Sequence, residues 1–409
     1  MPIYGGHMNI HSQKAKDLDV YISSNPECKI GEWPIEIDGN VERKPFYRLP
    51  ISMLRYNVNN GRLAMEVREW EEEKERKLDA DDPDDAKIIR SLLLSLKETD
   101  TQLLETDLHQ KGQMEPGVIT HDGYVINGNR RMAVLQLLHE EESTGRWEKL
   151  DVIRLPASTG ETVLWKIEAG LQLSKGKVAE YHPVNELLKI KQGINAGLSP
   201  KEIAAAMYGR TEEEIVDALE RLELIDGFLE FWGPKQKGNY GLIKKSGLHE
   251  HFIDAQKAIL ANAKNQGMSK RIIQERLIKT FAFLRAGIIN QGGQQKKKKR
   301  GVTHWDVREL GKVFADNDAD AEFTKCFDGA IRDPKKVLAI QPEIILESFQ
   351  SSKEILANKE DRDRPVILME RAIKALQSID TNSKHLKDER TKPVFEKLQK
   401  LVNEIQKIL

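Results

Sequence analysis

The sequence predicts an α-rich α/β protein, and three observations predict it. Residues 116–138 pass from a short β run through a glycine turn into a helix. A second β run, Val152-Ile153-Arg154-Leu155, supplies a further strand. Most of the remaining chain repeats its apolar residues at helical spacing, with start signals ahead of several repeats.

Within residues 116–138, Val118 and Ile119 begin a strand, Asp122-Gly123 is a hairpin turn signal, and Tyr124 to Ile126 form the return strand. Apolar residues from Ala133 to Leu138 then recur at helical spacing. Asn127-Gly128-Asn129-Arg130-Arg131 lies between strand and helix. A glycine turn that opens a helix places backbone N–H groups and two guanidinium forks at one spot, which suits phosphate. An ordinary basic turn has the same composition.

The order of segments extends beyond this stretch. Gly128-Asn129-Arg130-Arg131 opens a helix with Ala133 shortly after; upstream, Leu49-Pro50-Ile51 leads through Asn57 to Asn60-Gly61-Arg62. Downstream come the strand at 152–155 and a helical segment at 168–188. In these segments, over roughly residues 45–225, the chain resembles the ParB/sulfiredoxin-like family. The resemblance implies a small mixed sheet that binds a nucleoside triphosphate, followed by a helix-turn-helix-type domain. It also implies that Gly128, Asn129, Arg130 and Arg131 cradle the phosphates, with Asn127 fixing the turn and Arg62 reaching in from the opening segment. Glu168 and Gln172 correspond to the family's second nucleotide motif, where Glu168 would help hold Mg²⁺ and, with Arg130, is the candidate for turnover. Cytidine triphosphate is the family's best-attested nucleotide, and ATP remains open.

The chain departs from the family pattern in places. Ala169 stands where an Asn is expected, Gln172 is one residue further along than the pattern puts it, and Leu173 replaces an Arg, with Lys175 the nearest cation. Loss of one oxygen ligand weakens a hard-cation site. Sulfiredoxins carry a catalytic cysteine in the equivalent turn; Asn129 stands here instead, which excludes thiol repair chemistry at this turn.

Composition sets further bounds. Of 409 residues 32% are charged, yet the net charge is −1, so nucleic-acid binding has to be local rather than driven by a general basic field. No apolar run has the length of a membrane span, and the first residues lack a basic region followed by an apolar one. The expected protein is soluble and cytoplasmic, at the nucleoid if it binds DNA, without membrane contact. Cys28 and Cys326 are far apart and imply neither a metal cluster nor a disulfide framework.

In chain order, residues 1–44 read as an arm or a peripheral strand, with a short strand at Trp33 to Ile37, and residues 45–180 as the nucleotide-binding domain. Residues 62–100 look like a helical insertion in that domain. Its first helix alternates Glu69, Glu71, Glu72, Glu73 and Glu75 with Arg68, Lys74, Arg76 and Lys77; the simplest reading is a solvated helix held by i,i+4 pairs, and the other is a partner surface. Asp79 to Asp85 reads as an exposed capping loop before a second helix that buries Ile88, Ile89, Leu92, Leu93 and Leu96. His182-Pro183 resembles the family's turn before a helix, with His182 a cap.

Residues 181–290 form the helix-turn-helix-type domain. Ser199-Pro200-Lys201-Glu202 and Thr211 with Glu214 are capping boxes around a tight turn. The reader helix opens on Glu212-Glu213-Glu214, a poor surface for base edges and phosphates, which favours a structural or protein-contact role. Lys235, Lys237, Lys244 and Lys245, on a Gly-rich segment with Tyr240, are candidate DNA contacts, with a solvated hairpin as the equal alternative. Residues 291–302 read as a basic linker in which Lys296, Lys297, Lys298, Lys299 and Arg300 form the strongest local phosphate-binding signal.

Residues 303–409 read as a helical C-terminal domain. Asp316 to Asp320 imitates a calcium loop, but Ala321 and Phe327 occupy positions that need Gly and a carboxylate. In the last helix Val394, Leu398, Leu401, Ile405 and Ile408 make a coiled-coil seam, expected to pack on residues 367–379 of the same chain or else on a second copy. The expected function is a ParB-like, nucleotide-switched DNA-binding protein with a protein partner or homodimer. The other class is a nuclease or a nucleotide-hydrolysing or phosphotransfer enzyme of the same superfamily, acting in defence against foreign DNA.

Overall fold

A computed structural model describes residues 12–96, 98–142, 145–172, 182–207, 209–292, 301–360 and 364–409. The basic run Lys296 to Arg300, and Leu173 and Lys175, lie outside the described residues. The chain divides into two compact units. The first comprises Met1–Lys312 and Phe327–Leu346, the second Val313–Cys326 and Glu347–Leu409.

The first unit is built on a five-stranded mixed sheet of order β1-β2-β5-β3-β4, as an α-rich α/β protein requires. Helix α1 (Ser12–Ser24) precedes β1 (Lys29–Ile37) and β2 (Asn40–Pro50), which pair antiparallel. Asp38 and Gly39 turn that hairpin with φ of 50° and 80°, the left-handed pair that matches strand twist. Of the peripheral segment, residues 12–44 join the fold, with β1 as an edge strand of the sheet: Leu18 of α1 is fully buried, and Arg154 holds the helix through Asp19 (2.6 Å) and Ala15 O (3.1 Å).

Next come α2 (Ala64–Lys74), α3 (Pro83–Ser95) and α4 (Glu98–Lys111), then β3 (Gly117–Ile119), β4 (Val125–Asn127), α5 (Asn129–Glu142), β5 (Lys149–Arg154) and α6 (Glu161–Gln172). Asp82 caps α3 by accepting from the N–H groups of Asp84 and Asp85. β5 pairs antiparallel with β2 and parallel with β3. Its side chains alternate: Leu150 and Val152 join Leu49, Leu18, Ile89 and Leu135 on one face. Ile153 joins Ile35, Val118, Ile126 and α6 residues Leu164 and Ile167 on the other. The sheet is thus covered by helices on both faces.

The helical part follows as α7 (Pro183–Asn195), α8 (Pro200–Ala206), α9 (Glu212–Trp232), α10 (Tyr240–Lys245), α11 (His249–Ala255), α12 (Asn262–Asn265) and α13 (Lys270–Gly292). A π-helical segment, Gln256–Ala261, joins α11 to α12. Both expected capping boxes form, at Ser199/Glu202 and Thr211/Glu214. α9 runs through to Trp232: Ile225, Phe228 and Leu229 continue its buried stripe, and Phe228 meets Phe252 and Phe281 edge-on. Residues 234–245 are a 3₁₀ turn and a helix rather than a hairpin.

The last helices are α14 (His304–Ala315), α15 (Asn317–Lys325), α16 (Pro334–Leu338), α17 (Pro342–Glu360), α18 (Arg364–Gln377) and α19 (Thr391–Gln406). In the second unit Phe323 packs between Phe314 and Phe349. Asp316 caps α15 and pairs with Lys359, so the carboxylates that imitate a calcium loop are engaged within the fold. The expected packing of α19 on residues 367–379 is not found. No side chain of α19 is buried, and Ile373 and Leu376 of α18 are exposed too. Among the described residues no helix is long and apolar enough to cross a membrane.

Candidate functional site

The end of β4 and the start of α5 are fixed by glycine. Gly128 has φ of +110°, a conformation L side chains rarely adopt, and a Cβ there would stand 3.4 Å from the Cα of Gly117. A Cβ on Gly117 would in turn meet Asn127 O at 2.6 Å. With the two backbones this close, α5 starts at once: its first bond runs from Met132 N to Gly128 O, 2.8 Å. The N–H groups before that bond are those a helix leaves to caps, water or ligands, at the positive end of its dipole.

Asn129 locks this start to the opening segment. Its buried amide accepts from Asn57 N (3.0 Å) and donates to Val125 O (2.6 Å). Its side chain is therefore spent inside the fold. Asn57 begins a compact turn: its Oδ1 accepts from Asn59 N (2.9 Å), its carbonyl from Asn60 N (3.0 Å), and Asn60 Oδ1 from Arg62 N (3.0 Å). Asn57 Nδ2 is buried and has no hydrogen-bond partner among the described residues. Asn185 of α7 clamps the far side of the turn, donating to Arg62 O and accepting from Met65 N, both at 3.0 Å.

Glu168 is placed differently from the sequence expectation. Both Glu168 and Lys189 are fully buried, with Lys189 Nζ 2.7 Å from Glu168 Oε2 and 5.3 Å from the Trp165 ring centre. Glu168 Oε1 accepts from Gly61 N at 2.9 Å. Burial pulls the Lys189 ammonium below its ordinary range, and the neighbouring Glu168 carboxylate opposes that shift. A Mg²⁺ site on Glu168 does not fit this arrangement, because an internal ammonium and a backbone amide hold both oxygens. In this arrangement the Glu168 carboxylate, the candidate for turnover, is paired and hydrogen-bonded inside the fold. Among the described residues no three His, Cys, Asp or Glu side chains are grouped to hold a metal ion.

The remaining expected residues are partly gathered here. Gln172, also buried, brings Nε2 to 3.5 Å from Ile126 O, beside the turn. Arg130 keeps its guanidinium mostly buried, with Nη1 3.9 Å from Asp100 Oδ2 on α4. Arg131 turns back to donate to Glu115 O, so it braces the approach to β3. Asn57, part of the opening segment quoted from the sequence, completes the junction together with Asn185 and Lys189, which were not singled out in the sequence. The signal for these two was present, as Asn185 and Lys189 sit four residues apart on the buried stripe of α7.

The four candidate DNA lysines among the described residues, Lys235, Lys237, Lys244 and Lys245, lie elsewhere in the same unit, and three of them are engaged by carboxylates. Lys237 pairs with Glu230 (2.9 Å), Lys244 with Glu66 (3.0 Å) and Lys245 with Glu69. Lys235 is exposed. The acidic helix α2 is therefore not simply solvated: Arg68 lies over the Tyr240 ring, 5.3 Å from its centre, and Glu72 abuts Gly238.

Compared with protein-family models and with curated proteins, the sequence has no match.

Proposed function

We propose that this is a ParB-like protein that binds a nucleoside triphosphate at the start of α5 and uses that binding to change its contacts with DNA. The observation that carries the reading is Asn57 Nδ2, a buried donor without a partner among the described residues, at the junction where Asn129 ties the Asn57–Arg62 turn to the α5 N-terminus. Leaving such a donor unsatisfied costs about 1–3 kcal/mol, and a phosphate oxygen is the acceptor that would relieve it. Helix-start N–H groups and the Arg130 guanidinium add donors and positive charge of the kind phosphate needs.

The closed Glu168–Lys189 pair favours binding over turnover, so a switch is preferred to a nuclease or hydrolase. The resemblance puts cytidine triphosphate first and ATP second. DNA would be met by the lysines of residues 235–245 and by the sequence run Lys296 to Arg300, through salt-sensitive phosphate contacts in the cytoplasm. A second copy is the partner that an exposed seam of alternating four- and three-residue steps on α19 would suit, and Leu401→Asp would then abolish dimers in sedimentation.

Calorimetry with the four ribonucleoside triphosphates tests the nucleotide site. One triphosphate should bind wild type and not a folded Arg130→Ala variant; absence of binding by all four overturns the proposal.

A further inference from the structure

The lysine face of α10 is occupied by the chain itself. Glu66 and Glu69, three residues apart on one face of α2, pair with the adjacent Lys244 and Lys245. Glu72, one turn further, rests against Gly238, and Glu69 also abuts Gly241. Three carboxylates in a row thus follow the backbone of residues 238–245 much as successive phosphates follow a basic track. The contact is not optimised as a permanent one. Glu66 is mostly buried, its Oε1 accepts from Lys244, and its Oε2 is buried without a hydrogen-bond partner among the described residues. The lysines stay 44% and 71% exposed, so solvent and salt weaken both pairs.

We propose that α2 is a built-in acidic competitor for DNA: Glu66 and Glu69 occupy on Lys244 and Lys245 the places of backbone phosphates, and duplex binding at α10 requires α2 to give way. The placement of α2 connects this cover to the nucleotide junction. The helix follows Asn60-Gly61-Arg62 directly, and that turn is held by Glu168 at Gly61 N and by Asn129 at Asn57 N. The inference rests on the DNA-binding reading above and adds its regulation.

The test is fluorescence anisotropy with a labelled duplex of random sequence, at low and at physiological salt. Glu66→Gln/Glu69→Gln keeps the side-chain shapes, and it should bind about tenfold more tightly than wild type, as expected when two lysines become available to phosphates. Glu32→Gln/Glu36→Gln removes the same charge from exposed positions of β1 and should change affinity little. Adding Lys244→Gln/Lys245→Gln to the first variant should erase the gain. If wild type binds duplex and the Glu66/Glu69 variant binds no better, or if the gain survives without the two lysines, the cover is overturned and the DNA reading stands. If neither wild type nor any variant binds duplex, both fall together.

Discussion

Two glutamate–lysine contacts bear on α2, and they have the same chemistry in opposite surroundings. Glu168 and Lys189 meet at 2.7 Å with no exposure of either side chain, and Glu168 also holds Gly61, just ahead of the helix. Glu66 and Lys244 meet at 3.0 Å on the helix itself, and Glu69 meets Lys245, with both lysines in contact with solvent. Two desolvated charges cannot separate without leaving one of them buried and unpaired, so the first contact fixes the turn. With the lysine ends in solvent, hydration and salt weaken the same pairing although Glu66 is mostly buried, so the second contact is a latch. Burial, rather than residue type, decides which contact can move.

Removing the buried cation should have the largest effect. Lys189→Met leaves Glu168 without its cation in an apolar setting and should lower stability by about 3–5 kcal/mol in urea denaturation. Glu168→Gln combined with Lys189→Met should recover much of that loss, since the double variant buries no net charge. A double variant as unstable as Lys189→Met alone would mean that packing around the lysine stem, not charge, sets the cost. Asn129→Ala comes next. It removes the bonds to Asn57 N and Val125 O and should cost about 1–3 kcal/mol, with faster amide exchange in residues 57–62.

The buried contact also marks how far the sequence could be read. The strand–turn–strand–helix at residues 117–142 was legible because glycine placement and apolar spacing are local signals. So were both capping boxes and the helical character of residues 185–224, while the run of α9 on to Trp232 was not. The hairpin of β1 and β2 was legible only in part: Asp38-Gly39 is a turn signal, but alternation in the flanking strands is weak, with Val41 exposed and Ile35 buried. Glu168 was identified as a site residue but not as a partner of Lys189, since a distance of 21 residues along the chain says nothing about side chains meeting across two helices. The lysines at 244 and 245 resemble a nucleic-acid track in sequence, and only the fold shows α2 lying along them. α19 kept its seam and lost its expected partner, since a stripe of apolar residues does not name what covers it.

His182 gives a smaller effect that depends on pH. It caps α7, with its imidazole Nδ1 accepting from Val184 N at 3.3 Å, and a proton on that atom would break the cap. Burial, with Lys244 and His249 adding to it, lowers its pKa from 6.5 to about 4. Between those values the unfolded chain binds a proton that the folded chain refuses, so this contribution to stability is full above pH 6.5 and is lost as pH falls toward 4. His182→Asn retains a capping oxygen and removes the titration. Its melting temperature should therefore fall less than that of wild type between neutral pH and pH about 5.

The exposed latch should give the smallest change in stability. Lys244→Gln removes the partner of Glu66 Oε1 on a side chain that is 44% exposed, and the expected loss is about 0–1 kcal/mol, shrinking further in high salt. What should change is local opening: amide exchange across α2 should rise in the variant while exchange in β5 and α6 stays at wild-type rates. A loss as large as that of Lys189→Met, or exchange that rises equally across the sheet, would show that the two contacts do the same job. Exchange confined to α2 would separate a helix able to lift from the fixed turn that carries it.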